Sequence, residues 1–162
     1  QVFHEIARAY KLAGAMDIYE EIIRNRLILH FKRSGLNLDS VKSSIVRLIK
    51  DSAFVPQIII VDGFSFDKAS ESDLHFWKKL AQEHDAEIWF SATLPPELPI
   101  TDQTIIPAPI NAFAETLTVV ILLVAHRDYI ELKLVKDNGE RQLDRLQLRL
   151  DPKTLLIANR RI

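Results

Sequence analysis

Apolar residues recur every three or four positions from Val2 to Phe31, a spacing typical of amphipathic helices. Gly14 interrupts this pattern, so we expect two helices separated by a break, with Asp17 as the candidate cap of the second. A turn over residues 34–40 comes next. A shorter helix is then predicted, because one of its faces collects four apolar residues, Val41, Ile45, Leu48 and Ile49.

The middle of the chain predicts a strand, a helix and a second strand. Pro56 precedes an unbroken apolar run, and residues 57–62 are predicted to form a strand covered on both faces, as in a parallel sheet. The segment Ser70–Asp73 matches a capping box and marks the start of the predicted helix. Residues 86–92 form the second predicted strand, which completes a right-handed βαβ unit.

The C-terminal part predicts further strands after a loop that is rich in proline. Residues 93–112 hold five prolines and are expected to be mostly extended loop, followed by a buried strand over 117–125. Residues 128–139 alternate apolar and polar positions, which predicts an antiparallel strand ending in an Asn-Gly turn, with 146–151 as the return strand. The whole pattern predicts a single α/β domain over residues 1–162, with a mainly parallel sheet flanked by helices and a C-terminal antiparallel hairpin.

The composition favours a globular protein without membrane spans. Apolar residues make up 48% and charged residues 27% of the 162 residues, close to the globular average. No apolar run approaches the roughly 20 residues that cross a bilayer. The chain has no cysteine, which excludes disulfides and thiolate chemistry, and no leader pattern is visible at its start. We therefore expect a cytoplasmic location and no membrane partner.

The formal net charge of −1 is distributed unevenly along the chain. Basic residues exceed acidic ones in residues 1–50 and 141–162, whereas acidic residues dominate 51–100 and 101–140. The acidic middle has two interpretations, a cation site near the strand ends or ordinary surface variation. The basic ends indicate a polyanion such as nucleic acid as a candidate partner.

Asp62 ends the first predicted strand, and ligands of open α/β sheets bind at the carboxyl ends of strands. Four aliphatic residues followed by aspartate form the pattern of a Walker B strand, whose carboxylate holds Mg²⁺ beside nucleotide phosphates. Ser91 and Thr93 end the neighbouring predicted strand and place two hydroxyls within reach. The other interpretation makes Asp62 the polar first residue of an Asp-Gly turn. Phe64 and Phe66 follow, either as an exposed partner or base-stacking surface or folded back onto the helix.

The order of these segments resembles the C-terminal half of a RecA-like P-loop ATPase core over roughly residues 40–157. The Walker B strand corresponds to "IIIVDG", the strand ending in a polar sensor to "IWFSAT", and the last strand and hairpin to "FAETLTVVILLV" and "YIELKLVKDNG". The resemblance implies Mg²⁺ and ATP as cofactors of the full-length protein, and a homo-oligomer. It also implies Asp62 as the metal carboxylate, Ser91 and Thr93 as γ-phosphate sensors, and Lys136 as a nucleotide-binding residue.

The chain departs from that family in its phosphate-binding parts. It has no G-x-x-x-x-G-K-[ST] loop, since its four glycines are isolated: Gly14, Gly35, Gly63 and Gly139. No Glu follows Asp62, and "KDN" lacks the arginine of the K-x-R trigger in the replicative-helicase branch. We therefore expect the C-terminal part of a larger ATPase domain, inactive by itself. The alternatives are a non-catalytic interaction or assembly module, and a response-regulator-like or flavodoxin-like single domain.

Overall fold

The computed structural model describes residues 2–31, 37–52, 54–94, 106–138, 148–154 and 156–157. These residues form a mixed α/β structure, which confirms the predicted fold class at that level. The helices are α1 (Val2–Ala9), α2 (Ala15–Arg24), α3 (Leu38–Asp51), α4 (Glu71–His84) and a 3₁₀ helix, Ile110–Phe113. The strands are β1 (Ile58–Val61), β2 (Glu87–Phe90), β3 (Val119–Ala125), β4 (Ile130–Asp137) and β5 (Leu148–Leu150).

The chain divides into two compact units. One unit comprises Gln1–His30, Ile121–Leu134 and Leu143–Ile162. The other comprises Phe31–Val120 and Val135–Gln142. The single α/β domain over residues 1–162 stays a prediction.

The second unit contains the βαβ arrangement that the sequence predicts. Strands β1 and β2 pair in parallel, and α4 connects them. Helix α4 begins with the predicted capping box, in which the Ser70 hydroxyl accepts the Asp73 amide and the Asp73 carboxylate accepts the Ser70 amide. Both strands are shorter than predicted, and backbone hydrogen bonds from Glu87 to Gln57 and from Ser91 to Val61 extend their pairing at the two ends.

The parallel pair is covered on one face only, so the prediction of a strand buried on both faces is wrong. Alternate residues of both strands, including Ile59 and Val61, pack with the buried residues of α3 and α4. The other face leaves Ile58 58% exposed and Ile60 71% exposed. The unbroken apolar run therefore reflects one buried face and one exposed apolar face, because strand side chains alternate between the two faces.

Three strands form a second, antiparallel sheet in the order β3-β4-β5. Strands β4 and β5 are antiparallel, with Ile130 opposite Leu150, which confirms the predicted return strand. The sequence places the strand over 117–125 in a mainly parallel sheet, but β3 lies beside β4. Their connection is a short turn in which the His126 amide donates to the Tyr129 carbonyl, and parallel strands need a much longer crossover. The glycine of the predicted Asn-Gly turn lies outside the described residues.

The first unit begins with two helices and the predicted break at Gly14. Gly14 is the N-cap of α2 and has a φ of 65°, a left-handed conformation that glycine adopts without steric cost. Asp17 lies in the first turn of α2 instead of capping it. None of the α2 residues is buried, although Tyr19 contacts the ring of Phe3 at a centroid distance of 5.2 Å. No helix in the described ranges combines the length and the apolar character needed to cross a bilayer.

Candidate functional site

The candidate site lies where β1 and β2 end side by side. The parallel register places Val61 opposite Phe90, so Asp62 and Ser91 are the next residues along the two strands. The Ser91 amide donates to the Val61 carbonyl at 3.0 Å and extends the pairing by one residue. This arrangement can be recognised in the sequence, because each four-residue strand is followed directly by a residue with a short polar side chain.

Ser91 holds the turn that carries Asp62 through three hydrogen bonds. Its hydroxyl donates to Oδ1 of Asp62 and accepts the Gly63 amide at 2.9 Å. Its carbonyl oxygen accepts the Phe64 amide at 2.8 Å. Gly63 has a φ of 69°, so the chain turns sharply directly after Asp62. The turn interpretation of Asp62 therefore describes the backbone, and it leaves open what the carboxylate binds.

The carboxylate of Asp62 fits the ligand requirements of Mg²⁺ bound to a nucleotide. The side chain is exposed, and within the described part of the chain only its Oδ1 atom has a hydrogen-bond partner. Mg²⁺ uses one or two carboxylates together with water and substrate phosphates, and seldom a cage built of protein alone. Among the described residues no group of three or more histidine and acidic side chains is placed to hold a metal. A single free carboxylate oxygen is compatible with a nucleotide-bound ion.

Thr93 and Lys136 are not joined to this pair. Thr93 is exposed, and its hydroxyl makes no hydrogen bond to any other described residue. Lys136 is buried on β4, and its ammonium donates to the carbonyls of Ala114 and Leu117, the latter at 2.6 Å. No hydrogen bond or ion pair links Lys136 to Asp62 in the described ranges. The lysine stabilises the segment after the 3₁₀ helix, a role that the sequence pattern does not indicate.

Phe64 and Phe66 are buried, so their interpretation as an exposed base-stacking surface is wrong. The Phe64 ring contacts Phe66 and Phe90 at centroid distances of 4.8 Å and 4.7 Å, and Phe66 contacts Phe113 at 5.8 Å. These aromatic rings fill the space beneath the Asp62 turn. They anchor the loop after β1, because each buried aromatic ring contributes a large apolar area.

A polar link between α3 and α4 was not found by sequence reasoning. The Lys42 ammonium donates to the Asp73 carboxylate at 2.5 Å and lies 5.1 Å from the centre of the Phe76 ring. The hydrogen bond from Lys42, followed by that from Ser70, lowers the pKa of Asp73 from its ordinary value of 3.8 to about 2. Lys42 and Asp73 are 31 residues apart, so no local spacing rule connects them.

Of the four residues predicted for the site, the structure thus brings together Asp62 and Ser91. Thr93 lies two residues beyond Ser91, and Lys136 has other partners. The roles that the resemblance implies for all four stay predictions. No model of a protein family, no curated protein and no solved structure matches this chain.

Proposed function

We propose that this chain is the C-terminal part of a RecA-like P-loop ATPase whose phosphate loop lies outside residues 1–162. The observation that carries the proposal is the pair Asp62 and Ser91, hydrogen-bonded at the same ends of two parallel strands. Nucleotide phosphates bind at this end of α/β sheets. Asp62 is the carboxylate that faces the Mg²⁺ of MgATP, and Thr93 is the hydroxyl available to the γ-phosphate.

The chain's own contribution in this proposal is to orient one carboxylate. Mg²⁺, when bound, would neutralise charge on the phosphates. The glycine at position 63 allows the backbone to turn away from the site, and the aromatic cluster below keeps the turn in place. No amide cradle or phosphate-binding lysine is present in the sequence, so the chain alone lacks the groups that bind most of the phosphate charge.

The test compares the chain with the full-length protein. Calorimetric titration of residues 1–162 with MgATP is expected to show no micromolar affinity. In the full-length protein Asp62→Asn is expected to lower ATP turnover about tenfold or more, because it removes the charge that the metal requires. Asp67→Asn is the matched control, since Asp67 is an exposed carboxylate five positions further along the same loop.

Two results would contradict the proposal. Micromolar binding of MgATP to the chain alone would show a phosphate site that needs no upstream loop. Unchanged turnover in a folded Asp62→Asn protein would leave Asp62 as a turn residue.

A non-catalytic assembly module is the second candidate function, and exposed apolar surface favours it. On the face of β1 and β2 that α3 and α4 leave open, Trp89 is exposed beside Ile58 and Ile60. In the other unit, α2 buries none of its residues and exposes apolar side chains that include Met16 and Ile22. Apolar patches of this kind are rare on monomers and typically mark protein contacts.

For this candidate we expect a homo-oligomer at tens of micromolar, with residues 2–31 contributing to the contact. Light scattering should then give a mass above the 18.6 kDa of one chain. Ile22→Lys on α2 and Ile60→Lys on β1 test the two surfaces separately, and Glu20→Lys on the exposed polar side of α2 is the control. A mass of one chain across the concentration range would contradict the expectation. An oligomer that survives deletion of residues 1–33 would place the contact elsewhere.

The polyanion partner suggested by the basic ends stays a prediction. Among the described basic residues near the C-terminus, the Arg149 guanidinium lies over the Tyr129 ring, 4.3 Å from its centre. That stacking holds the guanidinium close to the sheet and leaves its edge for an anion. Nucleic-acid binding would appear as an affinity that falls with added salt.

A further inference from the structure

The resemblance to a RecA-like ATPase implies Ser91 as a γ-phosphate sensor, and the hydrogen bonds of its hydroxyl point to a different role. A serine hydroxyl has one proton to donate and two lone pairs that accept. The proton of Ser91 is directed to Oδ1 of Asp62, and one lone pair accepts the Gly63 amide. A phosphate oxygen can accept a hydrogen bond but cannot donate one when it is ionised. Ser91 would have to release Asp62 before it contacted a γ-phosphate.

The two carboxylate oxygens of Asp62 differ in their hydrogen bonds. One carboxylate oxygen is held by the serine, and the other accepts no hydrogen bond in the described part of the chain. Because the same hydroxyl also binds the Gly63 amide, the side chain and the turn that carries it are fixed together. A carboxylate held in this way loses less rotational freedom when it binds a cation, which favours binding.

Thr93 differs from Ser91, because its hydroxyl has no hydrogen-bond partner among the residues that the structure describes. It makes no hydrogen bond to the described residues and lies on the same segment, two positions beyond Ser91. Its proton is therefore free for a phosphate oxygen. The two hydroxyls, which appear equivalent in the sequence, have different partners in the fold.

We propose that Ser91 is a positioning residue, which fixes one oxygen of Asp62 and leaves the other for a divalent cation, while Thr93 is the one of these two hydroxyls that contacts a phosphate. This inference rests on the proposed function, because it concerns the metal carboxylate of the same site. Removal of the partner that orients a metal-binding carboxylate typically lowers metal affinity about 10–100-fold. Loss of a phosphate contact lowers turnover and leaves the metal requirement unchanged.

The experiment uses Mn²⁺ alone as the probe and the chain of residues 1–162. Paramagnetic broadening of the backbone amide signals of Gly63 and Ser91 reports binding at Asp62, and it is sensitive to weak affinity. We expect Ser91→Ala to need about tenfold more Mn²⁺ for the same broadening. Ser91→Thr keeps the hydroxyl and should restore the wild-type response, and Thr93→Val should not change it. Amide exchange of Phe64, whose amide is held by the Ser91 backbone, verifies that each variant keeps the turn.

The outcomes separate this inference from the proposed function. Broadening that Asp62→Asn abolishes, and that Ser91→Ala leaves unchanged, would overturn the positioning role and keep the metal site. Wild-type broadening that is absent, or unaffected by Asp62→Asn, would overturn the positioning role, whereas the proposed function is decided separately by the ATP turnover of Asp62→Asn in the full-length protein. In the full-length protein, Ser91→Ala should raise the Mg²⁺ concentration for half-maximal turnover about tenfold, whereas Thr93→Val should lower turnover at an unchanged Mg²⁺ requirement. The reverse pattern would make Ser91 the phosphate contact.

Discussion

Replacement of Asp73 by asparagine removes the charge that joins α3 to α4 and keeps the shape of the side chain. Asp73 is only 14% exposed and binds the Lys42 ammonium with one oxygen and the Ser70 amide with the other. The pKa of Asp73, lowered from 3.8 to about 2 by the hydrogen bonds from Lys42 and then Ser70, corresponds to about 2.5 kcal/mol at 1.36 kcal/mol per unit. Water at the edge of the ion pair screens part of this interaction energy. We therefore expect Asp73→Asn to lower the free energy of unfolding by about 1–2 kcal/mol.

The pH dependence follows from the direction of that shift. Because the pKa is lower in the folded chain than in the unfolded chain, the ionised carboxylate stabilises the fold above the unfolded value of 3.8. The contribution is complete at neutral pH, falls to about half near pH 3 and is lost as the pH passes below about 2. The free energy difference between wild type and Asp73→Asn should decrease accordingly between pH 6 and pH 3.

Urea unfolding followed by tryptophan fluorescence measures this difference, because Trp77 is buried on α4. Glu83→Gln is the matched control, since Glu83 lies on the same helix and forms an exposed ion pair with Lys79 at 3.6 Å. The control should cost less than about 0.5 kcal/mol. An Asp73→Asn loss of stability that is equal at pH 6 and pH 3, or no larger than that of the control, would refute the account of a stabilising, partly buried charge.

Three further substitutions test the packing around the site, each by urea unfolding. Lys136→Met should lower the free energy of unfolding by about 1–3 kcal/mol, because the Ala114 and Leu117 carbonyls lose their hydrogen-bond donor. A loss no larger than that of the control variant Lys133→Met, on the same strand, would contradict this prediction. Gly63→Ala should lower the free energy of unfolding by about 1 kcal/mol, because alanine is strained at the positive φ of this position although its Cβ would meet no steric clash. Gly63→Asn should lower it by less, and equal losses for the two variants would count against backbone strain. Phe66→Ala should lower the free energy of unfolding by about 3–5 kcal/mol, because it removes a buried aromatic ring. A much smaller loss would mean that the aromatic rings around Phe66 do not form a packed core.

The sequence predicted best those features that depend on neighbours along the chain. The capping box of α4, the break at Gly14 and the return of β5 onto β4 each follow from local spacing or turn chemistry. These inferences succeed because the backbone geometry of a helix cap is fixed by a few residues. The position of Ser91 beside Asp62 is the exception, because these residues are 29 positions apart and are brought together by the parallel register of β1 and β2.

The failures concern packing between distant segments. An apolar run does not reveal which of its faces another element covers, so the exposure of Ile60 was not predicted. The direction of Lys136 toward two backbone carbonyls, and the pairing of Lys42 with Asp73, depend on contacts across many residues. Such contacts are set by the tertiary arrangement, which periodicity does not encode.

Asp62 and Lys136, two of the residues to which the resemblance assigns nucleotide contacts, differ in what they contribute to the stability of the fold. The buried ammonium of Lys136 has a structural role, because two carbonyls depend on it. The side chain of Asp62 is exposed, and the turn that carries it is also held by the Gly63 and Phe64 amides, which bind Ser91 without the carboxylate. Asp62→Asn should therefore change the free energy of unfolding by less than about 1 kcal/mol, well below the cost of Lys136→Met. If the fold gains little from the charge of Asp62, that charge is available to the cation of the proposed function. A larger cost for Asp62→Asn than for Lys136→Met would reverse the assignment, with Asp62 a structural turn residue and Lys136 the candidate for a phosphate.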